Sequence, residues 1–182
     1  MTASAPATDG GAVEVRQVWD WLGEVADPEI PVLSVVDLGI VRAVDLHLGE
    51  CVVTITPTYS GCPAMDVIAE AVTAALHGHG LQNVRLVSQL SPAWTTDWMS
   101  EAGKEKLKSY GIAPPAQQVI DISALTSGVK RIKPGLVPKL EVACPHCGSS
   151  NTAVTSQFGS TPCKALYRCL DCREPFDYFK CH

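Results

Sequence analysis

The sequence predicts an α/β (α+β) fold: a two-layer sandwich, in which a small mixed sheet is covered by helices, followed by a β-rich C-terminal ribbon held by four cysteines. Three observations predict it. Over the first 110 residues the apolar pattern switches period in the order helix, strand, strand, helix, strand, helix. All four tryptophans fall in that part. Six of the eight cysteines fall in the last 39 residues and include two Cys-x-x-Cys pairs. The chain therefore divides into a main domain over 12–111, a linker over 112–139 and a ribbon over 140–182.

Each element has its own warrant. Val13, Val15, Val18, Trp19, Leu22 and Val25 form a helical stripe, and Pro28 and Pro31 end it. Residues 34–38 read as a helical turn or a loop closed by Gly39. Ile40, Arg42, Val44, Leu46 and Leu48 alternate on one face of a strand, and Gly49-Glu50 turns it into a second strand over 51–57, giving a hairpin. A helix over 63–77 is closed by Gly78-His79-Gly80, and a third strand covers 83–90. Residues 97–110 read as a last helix that starts at Asp97 and stops at Gly111 and Pro114-Pro115. The Pro- and Gly-containing stretch that follows carries Lys130, Arg131, Lys133 and Lys139, a solvated surface or a docking patch for an acidic partner.

Cys144-Pro-His-Cys147 and Cys169-Leu-Asp-Cys172 can converge as four thiolates around one tetrahedral ion, zinc or iron. So small a module cannot hold itself together by burial alone, so metal binding would supply folding energy. Cys163 and Cys181 stand outside this set, as spare thiols, substitute ligands or a second soft-metal site.

The totals exclude several classes. The chain has 182 residues, a globular composition at 46% hydrophobic and 18% charged, and no apolar run long enough to span a bilayer. Met1 to Gly11 reads as a short tail rather than a signal peptide, and a cytoplasmic location is expected. In such a compartment eight cysteines favour metal binding over disulfides. Residues 1–100 carry twelve acidic side chains and three arginines, a net of −9, which makes nucleic acid a poor partner.

One stretch in the main domain carries chemistry. Thr58-Tyr-Ser-Gly-Cys62-Pro-Ala-Met links a β-branched strand to an Ala-rich helix. Cys62 is expected at that helix's N-terminus, where free amides and the dipole favour thiolate over thiol. The alternative is a small buried hydrophobe.

The run Asp27-Pro-Glu-Ile-Pro-Val-Leu-Ser-Val-Val-Asp37-Leu-Gly-Ile-Val, with Thr-Tyr-Ser-Gly-Cys62-Pro-Ala-Met after it, resembles the small domain of iron–sulfur assembly factors of the SufT kind. The tail Phe-Gly-Ser-Thr-Pro-Cys163-Lys-Ala-Leu-Tyr-Arg-Cys169, with Glu-Pro-Phe-Asp-Tyr-Phe-Lys-Cys181-His, resembles one branch of it, the PaaD/PaaJ family of the phenylacetyl-CoA epoxidase system in bacterial phenylacetate degradation. The resemblance implies a non-catalytic maturation factor, assisting iron or iron–sulfur assembly for the epoxidase complex, with its iron–sulfur reductase subunit as partner. It matches Cys62 to the domain's signature cysteine and Cys163 and Cys181 to cysteines of the branch's tail, without assigning a metal to each; zinc or iron is expected on Cys144, Cys147, Cys169 and Cys172 from their spacing, and a maturation role would have Cys62, with one or more of Cys163 and Cys181, hold a labile iron–sulfur cluster or iron transiently. It also marks Asp27, Glu29 and Asp37 as acidic signature positions, functional or merely bracing loops.

With one such cysteine in the main domain, a bridged cluster would need the tail or a second chain, hence a homodimer or a complex. The competing reading is a structural or docking subunit of the oxygenase whose only metal is a structural zinc. A cysteine-nucleophile enzyme would need a base near Cys62. Only His47, His77 and His79 are on offer in the domain, no motif supports them, and no catalytic residue is assigned.

Overall fold

A computed structural model describes residues 13–59, 61–115 and 141–180. Helix α1 (Val15–Leu22) opens on Glu14, whose amide is held by the Gln17 side chain at 2.9 Å, and it buries Val18 and Leu22. Trp21 stacks flat on His79 with centroids 4.4 Å apart, which ties this helix to the end of the next.

Strands β1 (Val41–His47) and β2 (Glu50–Ile55) form the expected antiparallel hairpin. Leu48 and Gly49 turn it, with φ of 47° and 83°, the two positive values that a tight primed turn requires. The alternation expected from Ile40 does not hold throughout. The register shifts between Val41 and Ala43, and both Ile40 and Val41 are buried, because a bulge turns two consecutive side chains to one face. Helix α2 (Met65–Gly78) buries Ile68, Val72 and Leu76 and returns the chain to β3 (Val84–Ser88), which pairs parallel with β2. The sheet order is β1-β2-β3, mixed as expected, with Cys51, Val53 and Ile55 of the central strand facing the helices.

The last helix of the main domain starts later than the sequence suggests. Residues Thr96–Trp98 form a separate 3₁₀ turn, and α3 runs Glu101–Ser109. Its cap is Ser100, whose hydroxyl accepts from the Gly103 amide at 2.8 Å. Asp97 is therefore not the cap, although both residues have the right chemistry. Gly39 makes this packing possible. Its φ is +68°, and a Cβ there would stand 2.3 Å from the Trp98 carbonyl oxygen.

The stretch from 112 onward, expected as linker, begins with a strand. Strand β4 (Ile112–Ala113) pairs parallel with β7 (Pro175–Phe179) of the ribbon, whose other strands are β5 (Thr152–Ser156) and β6 (Lys164–Cys169). The ribbon sheet runs β4-β7-β6-β5. Residues 116–140, which hold the basic run, lie outside the described residues.

The ribbon has a small core of its own, built from Ala113, Val142, Ala165, Phe176, Tyr178 and the thiols of Cys144 and Cys169. It also contributes to the main core. Cys163 and Phe179 are buried there, and the Phe179 ring meets Trp94 edge-on at 6.1 Å. Trp94 in turn donates its indole N–H to the Leu38 carbonyl at 2.9 Å. The two lobes thus share one apolar interface. Full burial of Phe179 alone contributes on the order of 2 kcal/mol to holding them together.

Candidate metal centre and interlobe pocket

The four ribbon cysteines come together as the spacing predicts. Their sulfurs all lie within 4.8 Å of one another. Cys144 and Cys172 are 3.7 Å apart, and Cys147 and Cys169 are 3.6 Å apart. A tetrahedral zinc with bonds of about 2.3 Å requires sulfur–sulfur distances of about 3.8 Å, so the donor set fits such an ion. Amides of Cys172 and Asp171 point at Cys169 and hold its thiol down to about 7. At Cys172 the Glu174 amide likewise lowers the thiol, but burial and the three adjoining sulfurs outweigh it and push the thiol up to about 12. Four crowded sulfurs cannot all ionise unless a cation compensates them. The cluster is capable of binding a metal ion, and among the described residues it is the one group of three or more such ligands already assembled. Asp171 supports one turn, accepting from Ser149 Oγ and, at 2.7 Å, from Asn151 Nδ2.

A second constellation lies where the lobes meet. Asp27, Glu29, Thr58, Cys62 and Cys163 surround a cavity of about 20 Å³, floored by Ile30, Leu38, Ile40, Ile68 and Phe179. Cys62 is half-buried, while Cys163 is only 5% exposed. The Cys163 thiol points to the Glu29 carboxylate, with Sγ to Oε2 at 3.5 Å, and Thr161 Oγ1 lies 3.0 Å from the same sulfur. Burial, opposed by the Thr161 hydroxyl and reinforced by the Glu29 charge, pushes the Cys163 thiol up to about 11.

Cys62 does not occupy the first turn of α2. It stands two residues before the cap, Ala64, in a turn in which its amide donates to the Tyr59 carbonyl at 3.2 Å and its carbonyl accepts from the Met65 amide at 3.3 Å. Gly61, with φ of +90°, permits this turn. The turn brings the Tyr59 phenol onto the thiol. Burial and the neighbouring charge of Cys62 push the Tyr59 phenol up to about 12, so it keeps its proton.

The three acidic positions separate. Glu29 faces the pocket. Asp27 also lines it, but one of its oxygens accepts from the Glu29 amide at 2.9 Å and the Ile30 amide at 2.7 Å, bracing the loop. Burial raises its carboxyl, with those amides opposing. Asp37 is not among the residues of the pocket and serves a different joint. It accepts from the Ser34 amide and hydroxyl at 3.2 and 3.0 Å, from Ser100 Oγ at 2.9 Å and from Lys106 Nζ at 2.6 Å. Burial alone would raise its carboxyl, but these donors outweigh burial and hold it below the usual range.

Cys181 lies outside the described residues. Cys51 is fully buried in the main core, and burial raises its thiol. Two residues next to the pocket's cysteines in the chain or by charge, Tyr59 and Lys164, escape sequence reasoning. Tyr59 carries a signal in hindsight, three residues before Cys62 within a turn. Lys164 is buried beside Cys163, and its ammonium lowers both the Cys163 thiol and the Asp27 carboxyl. Its only signal is its adjacency to Cys163. Among the described residues no helix is long and apolar enough to cross a membrane.

Comparison with known proteins agrees with this two-part architecture. Residues 16–88 match a family described as iron–sulfur cluster assembly protein, and residues 133–180 match the PaaD zinc beta ribbon domain. An Escherichia coli (strain K12) protein, named as one subunit of a "Putative 1,2-phenylacetyl-CoA epoxidase", is 48% identical over 169 residues, covering 92% of this chain and 93% of its own length. A Porphyromonas gingivalis protein named "Fe-S protein maturation auxiliary factor" is 42% identical over 82 residues, covering 44% of this chain and 77% of its own. The crystal structure of a domain of unknown function from Bacillus anthracis matches with a TM-score of 0.49 and 27% identity, covering 51% of this chain and 90% of that one. The chain belongs to the PaaD/PaaJ-like family, in which an iron–sulfur-assembly domain precedes a zinc ribbon, and its role is an accessory, non-catalytic one in iron–sulfur or metal handling.

Proposed function

We propose that the protein is a maturation factor of a bacterial phenylacetyl-CoA epoxidase in phenylacetate degradation, supplying iron or an iron–sulfur cluster to the epoxidase complex. The name of the Escherichia coli relative supports the recipient, and the name of the Porphyromonas gingivalis relative supports the activity. The recipient that fits best is the iron–sulfur reductase subunit, because it is the one whose activity needs a cluster. The ribbon cluster keeps its lobe folded, with zinc as the ion its four sulfurs suit.

The observation that carries this reading is the shared pocket of Cys62 and Cys163. A closed set of four thiolates retains its metal. A pocket with two thiols and one carboxylate in reach holds a metal incompletely, and an incompletely held metal can be passed on. Because the ribbon contributes the second thiol, the site does not need a second chain to bring two cysteines together. Cys181, which follows β7 closely in the sequence, is a further candidate ligand.

The test is maturation itself. The reductase is expressed together with wild-type protein or with its Cys62→Ser variant, and its cluster content and electron-transfer rate are measured. Loss of most of the cluster in the variant is expected. Full cluster content would defeat the reading. A docking subunit with only a structural zinc is the second reading, favoured by the depth at which Cys163 is held as thiol. It predicts that Cys62→Ser is silent, whereas ribbon variants abolish binding to the complex.

A further inference from the structure

We infer that Phe158, with the Lys180 ammonium beside it, is a docking prong by which the ribbon engages a partner protein, and that the partner offers an apolar pocket for the ring with a carboxylate at its rim. The inference rests on the proposed function for the identity of the partner, the epoxidase complex, and adds the contact by which this chain holds it.

Exposure is the first observation. All three phenylalanines of the chain lie in the ribbon. Phe176 and Phe179 are buried, whereas Phe158 is 68% exposed. A single exposed apolar residue is ordinary on a protein surface, so exposure alone decides nothing. What sets Phe158 apart is how firmly it is held there.

Residues 157–163 join β5 to β6. The Phe158 amide donates to Ser156 Oγ at 3.3 Å, and that hydroxyl donates to the Phe158 carbonyl at 2.7 Å. The Gly159 amide donates to the Lys164 carbonyl at 2.8 Å, and the Lys164 amide donates to the Thr161 carbonyl at 3.1 Å. Gly159 lies so close to the strands that a Cβ there would stand 3.0 Å from Asp177 Oδ1 and 3.2 Å from Lys164 Cβ. These ties fix the backbone at and beyond Phe158. An aromatic ring presented on a rigid loop loses little freedom when a partner closes over it.

Lys180 supplies the charge. Its Nζ lies 4.4 Å from the centre of the Phe158 ring and donates to the Gln157 carbonyl at 3.1 Å. Its backbone is tied to the same loop, since the Lys180 amide donates to the Cys163 carbonyl at 2.9 Å. Among the described residues no carboxylate pairs with this ammonium. A cation held over an aromatic face and lacking a counter-charge there complements an acidic group on whatever covers the ring.

Position links the prong to the site. The loop ends at Cys163, and Thr161 Oγ1 within it lies 3.0 Å from the Cys163 sulfur. A partner that grips Phe158 is therefore held beside the loop whose other end lines the interlobe pocket.

The experiment measures the affinity of the purified epoxidase complex for full-length, zinc-loaded protein by titration calorimetry, at low and at high salt. Phe158→Ser is expected to weaken binding at least about tenfold, the loss that a central aromatic contact carries. Lys180→Glu is expected to weaken it as well and Lys180→Arg to keep it, with the effect of Lys180→Glu shrinking as salt rises. Phe158 is exposed, so the melting temperature and ribbon zinc of Phe158→Ser should match the wild type, and this variant decides if Lys180→Glu does not fold. Unchanged affinity in Phe158→Ser overturns the inference, as does a wild-type protein that fails to bind the complex. A wild-type homodimer that sedimentation shows dissociating in Phe158→Ser gives the prong to a second copy and overturns it too. Cluster content of the reductase is read in parallel. Affinity lost in Phe158→Ser, with cluster content indifferent to Cys62→Ser, keeps the docking contact and defeats the maturation role. Equal affinity in Phe158→Ser, with cluster content lost in Cys62→Ser, does the reverse.

Discussion

The Asp37 carboxylate accepts four hydrogen bonds from groups up to 69 positions away, and so fastens the 34–39 loop to the start of α3. The bonds from Ser34 and Ser100 are sheltered, while Lys106 is half exposed and counts for less. Asp37→Asn is expected to cost about 2 kcal/mol, read from urea unfolding at neutral pH. The sign with pH follows from the direction of the shift. The folded pKa lies below the ordinary value of 3.8, so the stabilisation is fully present above that value and is lost as pH falls through the lowered folded pKa. The wild-type protein should therefore lose its advantage over Asp37→Asn on the acid side of about pH 4, and a constant difference down to pH 2 would contradict the assignment. Gly39 is the other residue the loop depends on. Gly39→Ala sets a Cβ against the Trp98 carbonyl and forces a side chain into left-handed backbone. A loss of about 3 kcal/mol is expected from the same measurement. Asp27 and Asp37 could not be told from Glu29 in the sequence, because an acidic residue after a turn serves a bracing role or a site equally well. What separates them is the partner. Glu29 meets Cys163 across 134 positions, a contact that no local pattern announces.

At the scale of elements, the helices and strands of the main domain were legible because each carries its own period and its own stop. The hairpin had Gly49, and α2 followed a turn of Gly and Pro. Two of the misreadings lie where a distant residue decides. Asp97 and Ser100 are both good caps, but Asp37 grips Ser100, so the helix begins at Glu101. Ile112 and Ala113 look like linker because their pairing partners, Asp177 and Tyr178, come 65 positions later. The bulge between Val41 and Ala43 has no residue of its own to mark it, while Arg42, freed by it, lies 3.4 Å over the Trp98 ring. The four-cysteine set was fully legible, since two short pairs and a tetrahedral ion leave little choice. The ribbon's own core is small, and two of its seven buried residues, Cys144 and Cys169, belong to the four-cysteine set, so it is expected to depend on a bound ion. Cys144→Ser, or removal of the ion by a chelator, is expected to unfold the ribbon while the main domain retains its helices. Hydrogen exchange would show protection lost over 141–180 and kept over 65–78. Protection lost in both, or in neither, would contradict this.

At the scale of the whole molecule the ribbon is more than an appendage. Strand β6 runs between Lys164, directly after Cys163 at the pocket, and Cys169, one of the four ribbon cysteines, and β7 carries Phe179 into the main core. A metal bound by the ribbon would thus keep Cys163 in position from the other end of its strand. Phe179→Ala should cost about 3–5 kcal/mol. It should also speed alkylation of Cys163, 5% exposed in the native fold, by at least tenfold. Unchanged alkylation would mean that Cys163 is held by something other than this interface. The most direct measurement of the central claim, that two thiols from two lobes serve one transferable metal, is the count of zinc, iron and sulfide per chain in protein purified anaerobically. The account predicts one ion retained by the ribbon in every case, and additional iron in the wild type that disappears in both Cys62→Ser and Cys163→Ser. Iron equal in all three proteins, or absent from all three, would contradict it.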